Sequence, residues 1–271
     1  MTLLAKAEEA TDKSFERVGI RFIPTHPNPP DNVTSSALDA TGNHARPDPP
    51  DRGTTPTDEG TGSRGDCLYK QELPPLTRLA GGKNLKLTVK EHPTVWVYVP
   101  YTPEEAPSGE FVLQDGENEV YRTRFQLLAT PGVVSISLPP TTKPLEVGKE
   151  YRWYFEINCP HPESSSEQPA SVTGVVQRVP LSSELDSELK AAKTPLERIG
   201  SYAKHQIWYD ALSELALLRL EETQNPTLKS VWVELLSDKN FDLQRVAQEP
   251  IAGSVMLFEP TTEAQSSQRE E

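Results

Sequence analysis

Hydrophobic and polar positions change their period along this chain. Between Leu85 and Pro180 the alternation is two-fold: Leu85, Leu87 and Val89 are interleaved with polar residues, and Val95, Val97 and Val99 with Trp96 and Tyr98. Period two in β-branched and aromatic residues predicts strands. Phe111 to Gln114 leads through Asp115-Gly116 into Val120 to Phe125, and Asp-Gly between such runs predicts a tight hairpin. Val133 to Leu138, Tyr151 to Ile157 and Val172 to Val179 bring the expected strands to about seven, at the spacing of a sandwich. Along the Tyr151 strand the alternation assigns Tyr151, Trp153, Phe155 and Ile157 to the core and Arg152, Tyr154 and Glu156 to the outer face. Leu145, Gly148 and Tyr151 have the spacing of a tyrosine corner, in which the hydroxyl bonds back to nearby backbone.

After Pro180 the period becomes helical. Thr194-Pro195-Leu196-Glu197 combines a capping box with proline in the first helical turn. Ile199, Tyr202 and Ala203 follow on one helix. Trp208, Ala211, Leu212, Leu215 and Leu218 keep i, i+3, i+4, i+7 spacing on a second, which stops before Asn225-Pro226. Leu228, Val231, Trp232, Leu235 and Leu236 define a third. The Tyr202, Trp208, Ala211, Leu215 spacing suggests one tetratricopeptide-type hairpin, and a lone repeat must bury its stripe on something else.

The expected fold is therefore α+β: an immunoglobulin- or fibronectin-III-like antiparallel sandwich over 67–180, a tetratricopeptide-like hairpin over 181–250 packed on it, and a polar tail over 251–271. Residues 1–66 are expected to be a disordered segment and linker. Eight prolines, five glycines and only Val33 and Leu38 as larger aliphatics fall between Pro24 and Asp66, too little apolar surface to offset the entropy of ordering.

Composition narrows the function. The net charge is −13, and residues 181–271 hold nine basic against sixteen acidic side chains, so nucleic acid is not an expected partner. No apolar run reaches membrane-spanning length. Thr2 to Ile23 has neither the basic opening nor the apolar stretch of a secretory signal. No GxSxG, GxxxxGK[ST], GxGxxG or HExxH word occurs. Ser187 to Lys190 and Ser201 to Lys204 spell SxxK on predicted helices without companion motifs. Arg64-Gly65-Asp66 is an adhesion-type word in linker composition, and Gly81-Gly82-Lys83 reads as a turn. His26, His44, His92, His161 and His205 are scattered, and His92 and His205 are expected in structural roles.

Cys67 and Cys159 border the predicted sandwich and belong to no CxxC motif. A disulfide closing a long loop fits them, with two separate buried thiols as the alternative. Cys159-Pro160-His161 lacks a second pair at zinc spacing, so no metal and no cofactor are expected. Tyr98 and Tyr154, if they share the outer face, form a platform either for a sugar ring or for the C-terminal helices, and the apolar stripe of those helices favours the second.

Several segments together resemble a known family. Pro50-Asp51-Arg52-Gly53, Gly62 to Cys67, Leu76 to Leu79, Glu91 to Tyr101, Glu110 to Asp115, Leu145 to Phe155 and Gly200 to Ala211, with Ile207-Trp208-Tyr209-Asp210-Ala211, are similar to the cyanobacterial domain of unknown function 928 family, over roughly residues 50–250. The resemblance implies an exported protein, periplasmic or extracellular, with a Gly/Arg-rich linker before the domain and no assigned reaction. No catalytic residue is carried over. The expected function is a non-catalytic interaction module of the cell envelope with a protein partner. A carbohydrate-binding module using Tyr98 and Tyr154 is the alternative. A hydrolase, which would need His92, His205 and an acid in one cleft, is a third reading.

Overall fold

The computed structural model describes residues 20, 22, 67, 70, 72–80, 85–159, 170–238, 241 and 243–258. Among these residues eight strands come first: β1 Thr77–Arg78, β2 Leu87–Thr88, β3 Thr94–Val99, β4 Ser108–Asp115, β5 Asn118–Gln126, β6 Gly132–Ser137, β7 Glu150–Asn158 and β8 Ala170–Arg178. Four helices follow, α1 Ser183–Ala191, α2 Pro195–Lys204, α3 Trp208–Glu221 and α4 Pro226–Leu236, and then β9 Ile251–Ser254 and β10 Met256–Leu257. The strands form two sheets, one ordered β1-β3-β6-β9 and the other β10-β5-β4-β7-β8-β2. Among the described residues the architecture is mixed α+β, built on two β-sheets and four helices. Pairing is antiparallel except at β2–β8 and β6–β9, which are parallel.

Local chemistry sets most element ends as the pattern predicts. Asp115 pairs with Asn118, so Gly116 and Glu117 alone make the β4–β5 turn, and Gly116 supplies the positive φ of 59° that the first position of a II′ turn requires. Thr194 caps α2 through the Glu197 N–H, and the Glu197 carboxylate returns to the Thr194 N–H, both halves of a capping box. Asn225 caps α4 ahead of Pro226. The Tyr151 hydroxyl accepts from the Glu146 N–H at 3.0 Å, tying the start of β7 to the bend before it.

Along β7 the burial alternates as expected, with Tyr151, Trp153, Phe155 and Ile157 buried. In β3 it does not alternate, because Val95 to Val99 are all buried. The reason is α3. Its first turns bury Trp208, Tyr209, Asp210, Ala211, Leu212 and Ser213, leaving no solvent face there. Trp96 on one side of β3 donates its indole N–H to Ser213 Oγ at 3.0 Å, so α3 covers that side of the strand. Among the described residues one hydrophobic core runs through both sheets and all four helices.

Two stretches depart from their expected roles. Within 1–66, Ile20 and Phe22 are buried core residues, and Phe22 meets Trp208 edge-on at 5.0 Å. Phe22 also stands edge-on to Phe241 at 5.9 Å, beside the N-terminal end of α3. Residues 251–257, expected in the tail, are strands. Short strands such as β9 and β10 are held by backbone pairing with β6 and β5 rather than by a side-chain period, so the pattern did not announce them. The remainder of the expected linker, the tail from Glu259, Arg64-Gly65-Asp66, Gly81-Gly82-Lys83, Pro160-His161, His26 and His44 lie outside the described residues.

Gly174 faces Trp153 across the β7–β8 ladder, and a Cβ there would overlap the indole. Gly174→Ala is expected to destabilise the protein by about 1–3 kcal/mol, the range for overpacking a well-filled core. Chemical denaturation monitored by tryptophan fluorescence measures it.

Candidate functional site

Helix α3 carries the densest set of buried polar contacts. Its first residue, Trp208, donates its indole N–H to the Leu79 carbonyl just beyond β1 at 2.9 Å. The next, Tyr209, accepts from the Trp153 indole at 2.8 Å and donates to the Val175 carbonyl of β8 at 2.9 Å. Asp210 Oδ2 accepts from the Thr88 hydroxyl at 2.7 Å and from the Val89 N–H at 3.2 Å. Ser213 receives Trp96. Consecutive polar residues at a helix start thus reach both sheets. Burial pushes the Tyr209 hydroxyl well above its ordinary range, and it raises the Asp210 carboxyl, against the lowering effect of Thr88 and Lys90. Asp210 Oδ1 is buried without a hydrogen-bond partner. The motif Ile207 to Ala211 is therefore a joint between layers.

Beside it lies a second polar group. Arg198 of α2 forks onto Glu214 of α3, with Nη2–Oε1 at 2.9 Å and Nε–Oε2 at 3.4 Å. Burial and the nearby Glu214 carboxylate push the Tyr202 hydroxyl up to about 12. At the α1–α2 contact, Glu184, Glu188 and His205 bring three potential metal-ligand atoms within 4.8 Å of one another. Lys204 Nζ already lies 3.2 Å from Glu184 and pairs with Glu188, whose carboxyl is held below the usual range chiefly by that ammonium. The His205 ring stands 3.2 Å from Glu188. This cluster clamps two helices with a lysine as its cation. His92 is engaged elsewhere, 2.9 Å from the Thr142 carbonyl.

Ser187 donates to the Ser183 carbonyl and Ser201 to the Glu197 carbonyl, each one turn back in its own helix. Their SxxK partners Lys190 and Lys204 are tied to Asp186 and to the α1 glutamates. The SxxK words are local helix chemistry. Tyr98 and Tyr154 are not brought together. Tyr98 belongs to β3 of the four-stranded sheet and is fully buried, its hydroxyl raised by that burial and by Glu249. Tyr154 belongs to β7 of the six-stranded sheet and is half-buried. The condition for a platform, that both tyrosines share an outer face, is not met, because they lie in different sheets and Tyr98 is on the side of β3 that also carries Trp96, which bonds to α3. Cys67 and Cys159 are disulfide-bonded, with their Cα atoms 5.1 Å apart.

Sequence reasoning missed a cross-strand carboxylate pair on the outer face of the six-stranded sheet. Glu110 of β4 stands directly opposite Glu156 of β7. Arg122 pairs with Glu110 and with Glu119, and Arg124 approaches Glu110 at 3.6 Å. Among the described residues Glu156 has no such pairing. Burial and, after it, the Glu110 charge raise its carboxyl, with Arg122 opposing. The arrangement can hold a proton on one carboxyl while the other stays ionised. Glu110 and Glu156 each sit at an outward position in their strands, but only the register shows that they meet.

Tyr209→Phe removes an acceptor from the buried Trp153 N–H and a donor from the Val175 carbonyl, and is expected to cost about 1–3 kcal/mol, with a changed Trp153 fluorescence, both read in one denaturation series. For Glu156 the folded state holds its proton more tightly than the unfolded state. Its favourable contribution is complete below the ordinary glutamate value of about 4.3 and is lost as pH rises through the raised value. Glu156→Gln should therefore raise the thermal midpoint relative to the parent above that window and not below it, as paired melts across pH will measure.

No curated protein and no solved structure matches this chain. Residues 59–251 match the family DUF928, Domain of Unknown Function, a span that takes in β1 to β8, all four helices, the α3 joint and both cysteines. The chain belongs to the DUF928 family.

Proposed function

We propose that this protein is a non-catalytic interaction module of the cell envelope, folded in an oxidising, extracytoplasmic compartment and serving a protein partner. The observation that carries the compartment is the Cys67–Cys159 disulfide, because such bonds persist where thiols are not kept reduced. It closes a chain separation of 92 residues, a loop long enough for the bond to contribute on the order of 4 kcal/mol in the chain-entropy account. No described helix is long and apolar enough to cross a membrane.

A protein partner is favoured by the far edge of the six-stranded sheet. Leu128, Met256, Leu257 and Phe258 are exposed there around β10, four large apolar side chains at a sheet edge. Natural proteins usually blunt such edges with charge or cover them. An immunoglobulin- or fibronectin-like reading of the two sheets is supported by the bond from Glu146 N–H to the Tyr151 hydroxyl. The tetratricopeptide-like reading keeps the α3–α4 hairpin as its support, although α3 spends much of its surface inside the core. Nothing in the site favours the sugar-platform alternative, which needed Tyr98 beside Tyr154.

The compartment is tested by alkylating native cells without reductant and measuring the mass of the recovered protein. Both cysteines are expected to be unlabelled until a reductant is added, whereas alkylation of both before reduction overturns the reading. Turnover of ester, glycoside or phosphate substrates at enzyme-like rates by the purified chain would overturn the non-catalytic part.

A further inference from the structure

The joint between α3 and β2 contains a carboxyl group in an unusual position. Asp210 is 1% exposed and lies in the first turn of α3. One of its oxygens is fully occupied: Oδ2 takes the Thr88 hydroxyl and the Val89 N–H. Thr88 is itself buried and held in place, since its hydroxyl oxygen accepts from the Lys90 N–H at 3.1 Å. The other oxygen, Oδ1, has no partner among protein groups. An ionised carboxylate needs donors on both oxygens, and leaving one bare in the interior is costly. A neutral carboxyl needs far less there, because its carbonyl oxygen can be Oδ2 with both donors kept, while Oδ1 carries the proton.

The charges facing Asp210 do not supply the missing donor. From the β2 side comes Lys90, which is exposed and acts on Asp210 at a distance. From α3 comes Glu214, a like charge one turn on, itself engaged by Arg198. From α2 comes the Tyr202 hydroxyl, whose ionisation Asp210 and Glu214 both resist. The joint thus sets a buried acid between one distant cation and a neighbouring anion.

We propose that Asp210 is a proton-binding latch: protonation on Oδ1 tightens the seam between α3 and β2 as pH falls, and ionisation loosens it. The sign follows from linkage. The folded chain takes up a proton that the unfolded chain releases, so the stabilisation is complete below the ordinary aspartate value of about 3.9 and declines as pH rises through the higher value of the folded state. The burial that raises the carboxyl agrees with this direction. Because α3 also carries the Trp208, Tyr209 and Ser213 bonds, a looser seam at Asp210 acts on the element that both sheets share. An envelope module of this kind would be firmest in acidified surroundings.

The test compares the parent with Asp210→Asn, which keeps the shape and the acceptor oxygen but cannot ionise. Unfolding equilibria are measured in steps from neutral pH to the aspartate range. Relative to Asp210→Asn, the parent's unfolding constant is expected to fall on acidification, by up to tenfold per pH unit within the window where Asp210 titrates. Other acids, Glu156 included, act on both chains and cancel in the comparison. Should Asp210→Asn fail to fold, the carboxyl carbon of Asp210 in the intact protein is followed by NMR, with an expected midpoint clearly above about 3.9. Parallel pH profiles for the two chains, or a carboxyl titrating at or below that value, overturn the latch.

Discussion

A single helix that has to satisfy polar groups from two sheets is the constraint on which this fold depends. The sequence has four tryptophans, and three of them, Trp96, Trp153 and Trp208, place their indole N–H in bonds made by or to the first two turns of α3. Indoles are large and apolar but carry one donor that must be met when buried. Ser213, Tyr209 and the Leu79 carbonyl meet them. If α3 were to shift by a residue, three buried donors and the Asp210 contacts to β2 would be lost together. Losses of that kind leave unsatisfied groups in the interior, where each is worth more than the bond it formed in water. The register of α3 and the relative placement of the sheets are therefore fixed by the same few atoms.

The fourth tryptophan shows the contrast. Trp232 on α4 is fully buried, with the Arg219 guanidinium 5.2 Å above its ring, but its N–H has no partner. Among the described residues, the α4 side of the helical layer shows apolar contact and a stacked cation rather than indole hydrogen bonds like those that fix α3. Polar specification is concentrated at the N-terminal end of α3, and the far end of the hairpin relies on shape.

Much of this was legible in the chain. Period two located seven of the strands because one face of each is apolar, and Asp115-Gly116 located the hairpin because only such residues accept the required turn. Thr194 to Glu197 located the start of α2 for an equally local reason. What stayed hidden depends on contacts between distant residues. The pattern of α3 shows a stripe of Trp208, Ala211, Leu212 and Leu215, and nothing in it assigns Tyr209, Asp210 and Ser213 to the interior. They are interior because their polar atoms are paid for by partners in β2, β3, β7 and β8, which no window along the sequence contains. The burial of Tyr98 likewise depends on distant contacts, and the Glu110–Glu156 pairing needed the strand register. The disulfide was legible because two cysteines allow only one intramolecular pairing.

The switch of sheets at Val255 has a temporal side. Val255 donates to Ser135 in the four-stranded sheet while its neighbour Met256 pairs with Gln126 in the other, so both layers receive an outermost strand from the same few residues near the end of the described chain. Those strands close on β5 and β6, more than a hundred residues earlier, and such distant closures are slow. During synthesis the ribosome would still hold this stretch when β1 to β8 had already emerged. Until that stretch docks, β6 and β5 are the open borders of the two layers.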